Sequence, residues 1–230
     1  GTGKTLLAIE AARRSVLKGR RTLFLCFNRN LGKWLEEQTV ELRTNLYVST
    51  LHKYMLNITR IQPKSHPSFW QKELPTIAIE KLIESNNNEW VFDELIIDEA
   101  QDILQGDHYP DVLDLSLKGG LTSGRWRFFG DFDNQVIYNH GDTPSNFFNT
   151  RGLDVPNYSL TANCRNTPRT VGIIELLGGL KPGYSKVLRP DDGVEPMLLY
   201  YDDFEHQKRL LRKVLQILYK EGFTGEDIVI

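Results

Sequence analysis

The chain opens on a helical pattern. Leu6, Leu7, Ile9, Ala11, Ala12 and Val16 recur on one broad face and Gly19 closes the run, so a helix is predicted from Thr5 to about Lys18. The pattern then changes. Thr22-Leu23-Phe24-Leu25-Cys26-Phe27 is almost unbroken in hydrophobicity, as in a strand covered on both faces of a parallel sheet. A helix carrying Leu31, Trp34 and Leu35, a short strand at Leu46-Tyr47-Val48 and a helix from His52 to about Arg60 follow. The stretch after Ile61 is poorly patterned around Pro63 and Pro67, then helical from about Thr76 to Glu84. The region from about 55 to 92 reads as a small insertion on the main sheet.

Glu94-Leu95-Ile96-Ile97 is a further buried strand, and it ends at Asp98. Val112, Leu113, Leu115 and Leu117 lie in a predicted helix stopped by Gly119-Gly120, and Trp126-Arg127-Phe128-Phe129 is a strand leading into Gly130-Asp131. Strands alternating with helices predict an α/β fold with a parallel sheet flanked by helices, and ligands at the carboxyl ends of its strands. A boundary is expected near Asp154. Beyond it come an extended Tyr158-Ser159-Leu160 and a helix from Pro168 to Leu177 stopped by Gly178 and Gly179. A strand at Pro196-Met197-Leu198-Leu199-Tyr200-Tyr201 follows. The amphipathic helix from Asp203 to Lys220 then shows Leu210, Leu211, Val214, Ile217 and Leu218 on one face. Asp227-Ile228-Val229-Ile230 reads as the start of another strand, so residues 155–230 are expected to be a partial second α/β domain.

Composition adds bounds. The chain has 230 residues, 40% hydrophobic and 25% charged, with a net charge of -2. That fits a globular protein with a real core, and it leaves any nucleic-acid contact to a local groove instead of bulk charge. Cys26 and Cys164 are far apart and lack metal-ligand spacing, which points to a reduced, cytoplasmic protein. No apolar run approaches the roughly 20 residues of a membrane span, so no membrane partner is expected. Arg13, Arg14, Lys18, Arg20 and Arg21 read as a solvated helix face.

The candidate chemistry lies in two stretches. Gly1-Thr2-Gly3-Lys4-Thr5 matches the end of a phosphate-binding loop of the form G-x-x-x-x-G-K-[ST], whose first glycine would precede Gly1. Both ends of the chain therefore look cut. In such a loop the backbone N–H groups cradle phosphate, Lys4 adds a point charge, and the Thr5 hydroxyl binds Mg²⁺. The second stretch is Asp98-Glu99 at the exit of a buried strand. There Asp98 would hold Mg²⁺ and Glu99 would polarise an attacking water.

Asp98-Glu99-Ala100-Gln101-Asp102 resembles the DEAQD box of superfamily 1 helicases of the UvrD/Rep type, and similar boxes follow the family's order along the whole chain. Phe24 to Asn30 resembles the strand and loop that touch single-stranded nucleic acid, and Ser49-Thr50-Leu51-His52 resembles the T-x-H box, a second such contact. Gly130-Asp131-Phe132-Asp133-Asn134-Gln135-Val136-Ile137-Tyr138 resembles the G-D-x-x-Q-x-I-Y box. Leu160-Thr161-Ala162-Asn163-Cys164-Arg165-Asn166 resembles the L-x-x-N-Y-R-S box that opens the second motor domain.

The resemblance implies a RecA-like P-loop NTPase domain over residues 1–154 and the start of a second over 155–230. It implies ATP and Mg²⁺ as cofactors and hydrolysis coupled to movement along single-stranded DNA, with RNA left open. Gln135 would contact the γ-phosphate and Arg165 would reach the same group, where an arginine stabilises transition-state charge. Phe27, His52 and Tyr138 would offer stacking or contact surfaces to bases, while Asn28 and Thr50 would hydrogen-bond phosphates.

The chain departs from the family in three places. Cys164 stands where the usual residue is a tyrosine that stacks on adenine. The third box has one residue more before Gln135, and the stretch between Thr50 and Asp98 is short. An isolated piece lacking the remaining boxes is expected to bind nucleotide weakly and hydrolyse it slowly. The alternatives are a degenerate helicase-like scaffold in a nuclease or defence complex, and a small-molecule phosphotransferase. Lys4, Asp98, Glu99 and Arg165 together count against the scaffold.

Overall fold

The computed structural model describes residues 1–84, 88–104, 106, 108–131, 148, 151–153, 155–179 and 183–228. The chain divides into two compact units, Gly1–Arg165 with Pro182–Leu188, and Asn166–Lys181 with Arg189–Ile230.

The first unit is α/β. Its four-stranded sheet has the order β2-β1-β3-β4, with β1 Thr22–Cys26, β2 Leu46–Thr50, β3 Glu94–Ile97 and β4 Arg125–Phe128. All neighbours are parallel, with Thr22 opposite both Leu46 and Glu94, and Glu94 opposite Arg125. Helices α1 Lys4–Leu17, α2 Arg29–Gln38, α3 Leu51–Thr59, α4 Leu74–Glu84, α5 Gln101–Leu104 and α6 Tyr109–Leu115 flank it.

The unbroken apolar runs of β1 and β3 follow from burial on both faces, since every residue of both strands is buried. Alternate residues serve different cores. Leu23, Leu25, Leu95 and Ile97 pack with Tyr54 and Met55 of α3, Leu74 and Ala78 of α4, and Val112 and Leu113 of α6. Phe24, Cys26 and Ile96 pack with Ala8 and Ala12 of α1 and Leu35 of α2. The segment expected to be an insertion therefore supplies much of one face's core, through a π-helical turn at Phe69–Glu73 leading into α4.

At the end of the sheet away from the carboxyl termini of its strands, Glu94 is fully buried. It accepts from Ser15 Oγ at 2.7 Å and Arg20 Nη1 at 3.0 Å, and it also pairs with Arg127. Arg21 lies with its guanidinium carbon 4.6 Å from the centre of the Phe92 ring. Arg20 and Arg21, at the end of the basic run, thus tie the turn after α1 to Glu94 and Phe92 instead of joining a solvated helix face.

Short parallel strands at Ala162–Asn163 and Lys186–Val187 complete the described strands of the first unit. The second unit contains helices Pro168–Gly178 and Phe204–Lys220, and no strand among its described residues. The strand expected at Pro196–Tyr201 is not formed. Met197 to Tyr201 are 45% to 83% exposed, and no described strand of their unit offers a ladder for them to join. Asp227 and Ile228 are likewise not in a strand, and Val229 and Ile230 lie outside the described residues.

Candidate functional site

Parallel pairing brings the ends of all four strands to one edge, and α1, which precedes β1, starts at that edge. Gly3 caps α1 with φ 82°, a left-handed conformation suited to glycine. At Gly1 a Cβ would lie 2.3 Å from the Cβ of Arg165, so only glycine fits. The loop is further tied to the Ala162–Asn163 strand, because Cys164 N–H donates to the Gly1 carbonyl at 2.9 Å and Cys164 Sγ lies 3.3 Å from the same oxygen.

Lys4 Nζ lies 3.9 Å from an oxygen of Asp131, just beyond β4. Asp98, just beyond β3, has no exposed surface, and neither carboxylate oxygen has a hydrogen-bond partner among the described residues. Burial, the largest influence, raises its pKa above the usual carboxylate range, and the neighbouring Glu99 charge adds to this. The Thr5 hydroxyl, the Glu99 backbone N–H and the Lys4 charge pull it back down. The Thr5 hydroxyl therefore stands close enough to favour the charged form, without reaching full hydrogen-bond geometry.

Glu99 takes φ 53°, uncommon for a non-glycine residue and of the kind held only where its surroundings fix it. Gln101 Nε2 donates to Glu99 Oε2 at 2.8 Å, and Gln101 Oε1 accepts from Asp131 N–H at 3.1 Å. A single buried amide thus links the Glu99 carboxylate to the residue that pairs with Lys4. The sequence singled out neither Gln101 nor Asp131 as a site residue, although both lie inside the quoted boxes.

No group of three or more His, Cys, Asp or Glu side chains able to hold a metal is present among the described residues. The Asp98 carboxylate still suits a hard cation, provided the remaining ligands come from elsewhere, such as phosphate oxygens and the Thr5 hydroxyl. Thr2 lies between the two glycines of the loop and is half-buried.

The predicted nucleic-acid residues divide. Phe27 and His52 come together, with ring centroids 5.0 Å apart. Asn28 caps α2, its side-chain oxygen accepting from Asn30 N–H at 2.8 Å and Leu31 N–H at 3.1 Å, so its amide NH₂ is the part able to donate elsewhere. Thr50 caps α3 by accepting from Lys53 N–H at 3.3 Å, and it is buried. Gln135 and Tyr138 lie outside the described residues. Trp70 and Tyr109, which the sequence did not single out, pack against His52 with centroids 5.2 and 5.7 Å away.

Among the described residues no helix is long and apolar enough to cross a membrane. No model of a known protein family matches the chain, and no curated protein matches it.

Proposed function

We propose that this chain is the nucleotide-hydrolysing part of a motor of the UvrD/Rep type, with a RecA-like first domain, acting on single-stranded nucleic acid and on DNA in the first instance. One observation carries the reading. Asp98 is a fully buried carboxylate whose oxygens have no hydrogen-bond partner among the described residues, and it feels the Thr5 hydroxyl and the Lys4 charge at the carboxyl edge of a parallel sheet. A buried carboxylate with only partial compensation is costly, and a cation carried in on phosphate would complete it.

Bound ATP with Mg²⁺ supplies the phosphoanhydride bond whose cleavage drives the motor. The chain's own residues have separable tasks. The Gly1-to-Gly3 backbone and Lys4 would hold phosphate, and Thr5 and Asp98 would be the cation's protein ligands. Glu99, fixed by Gln101, takes a proton from the attacking water. Arg165, packed beside Gly1, offers charge to the transferring phosphoryl group. The cytoplasm is the compartment that fits this role, and both cysteines are free.

Calorimetric titration of the chain with ATP, with and without magnesium, tests the proposal. Lys4→Ala is expected to weaken magnesium-dependent binding by about tenfold or more, the loss of a charge-assisted contact. Binding that ignores magnesium, or that survives Lys4→Ala unchanged, overturns it.

A further inference from the structure

His52 is enclosed by Phe27, Trp70 and Tyr109, residues drawn from three other stretches of the first unit. His52 Nε2 lies 2.9 Å from the Tyr109 hydroxyl oxygen, and the same hydroxyl lies 3.1 Å from the Trp70 carbonyl oxygen. A carbonyl only accepts, and a phenol has one proton to give. With that proton on the Trp70 carbonyl, the Tyr109 oxygen must accept from His52, so Nε2 carries the ring hydrogen. Burial, and then the Arg29 charge, lower the His52 pKa to about 4, so at neutral pH the ring holds a single proton. Nδ1 is then a bare lone pair on a half-buried ring, and no described residue hydrogen-bonds to it. The clamp is tight, because a Cβ at Gly106 would lie 2.3 Å from the Tyr109 ring.

We infer, on the function proposed above, that Tyr109 and the Trp70 carbonyl lock His52 as its Nε2–H tautomer, making Nδ1 a neutral acceptor for an N–H donor on a base of single-stranded nucleic acid. An ionised phosphate has no hydrogen to donate to Nδ1, and an uncharged ring makes no ion pair with it. The Phe27 and Trp70 rings packed against the His52 ring are aromatic surfaces of the kind that suits an unstacked base, and such a base presents N–H groups at its edge. Tyr109 is a positioning residue here. It acts through His52 and need not touch the strand.

Nitrogen NMR on isotope-labelled histidine in the chain reads each ring nitrogen separately. The wild-type chain is expected to show His52 as the Nε2–H form at neutral pH. Tyr109→Phe keeps the ring but removes the acceptor oxygen, and should turn His52 into a mixture with the Nδ1–H form. A single-stranded DNA oligonucleotide should move the wild-type Nδ1 resonance toward that of a hydrogen-bonded acceptor. Tyr109→Phe should weaken its binding by the factor by which the Nε2–H fraction falls in that mixture, about twofold for an even one. The Nδ1–H form in the free wild-type chain overturns the lock, whatever the chain binds. An abasic strand that moves Nδ1 as far as the intact strand, or a shift seen with RNA alone, overturns the base as donor; the latter result points to the ribose hydroxyl. Failure of any single strand to bind while the Nε2–H form holds overturns the nucleic-acid reading and the ligand assigned here, and leaves the tautomer standing.

Discussion

Asp98 has no exposed surface, its carboxylate has no hydrogen-bond partner among the described residues, and burial raises its pKa. A carboxyl whose folded pKa lies above its unfolded value favours folding when protonated. Its contribution is fully present below the ordinary carboxylate pKa of 3.8 and is lost as pH rises through the raised value. Above the ordinary carboxylate value the ligand-free chain therefore carries the cost of burying a carboxyl that its neighbours compensate only in part. Asp98→Asn, measured by denaturant unfolding without ligand, should stabilise the chain by about 1–3 kcal/mol at neutral pH, with the gain shrinking as pH falls through the carboxylate range. A gain that does not vary with pH, or a loss at neutral pH, would contradict this account. The residues most legible in the sequence were those whose spacing is fixed within a motif: Lys4 with Thr5, and Asp98 with Glu99. Tyr109 and Trp70 were not legible, because they reach His52 from segments with no period that announces them. Asn28 and Thr50 show the opposite effect, where residue types that suit a phosphate contact also suit a helix cap and are found capping.

At the scale of elements, β1 and β3 could be read because burial on both faces leaves no polar position to interrupt the run, and the two cores alternate along them. The Pro196–Tyr201 stretch has a similar apolar composition but forms no ladder, since pairing is a property of a neighbour that composition cannot supply. Glu94 shows a further limit. In sequence it opens an apolar strand as an ordinary polar residue, yet it is fully buried and held by Ser15, Arg20 and Arg127, which fasten the strand's start to α1 and β4. Replacing Arg20 and Arg127 together by methionine leaves that carboxylate charged and buried with only a hydroxyl beside it, and should cost about 3–5 kcal/mol. Glu94→Leu removes the charge itself and leaves two partly exposed arginines free to reach water, so it should cost clearly less. Thermal or denaturant unfolding of both variants checks the order, and equal losses would show that the site acts by packing alone.

Across the whole molecule, burial is distributed very unequally. The first unit holds both hydrophobic clusters, with Leu23, Phe24, Leu25, Ile96 and Ile97 inaccessible to solvent. In the second unit the Phe204–Lys220 helix has no buried residue, and Leu211 and Ile217 are each 39% exposed. The same amphipathic pattern that made this helix legible in the sequence therefore says nothing about how firmly it is held. Local stability follows buried apolar area, and a single helix of this length is marginal in water without packing. Amide hydrogen exchange on the intact chain should separate the units. The β1 and β3 amides should exchange only through global unfolding, while those of Phe204–Lys220 should exchange orders of magnitude faster. Substitution should follow the same division. Leu95→Ala should cost about 2–5 kcal/mol, whereas Leu211→Ala should fall within about 0.5 kcal/mol of wild type. Slow exchange along Phe204–Lys220 comparable to β1 would mean that the helix is stabilised by contacts beyond its own described unit, and its apolar face would then have to be counted as core.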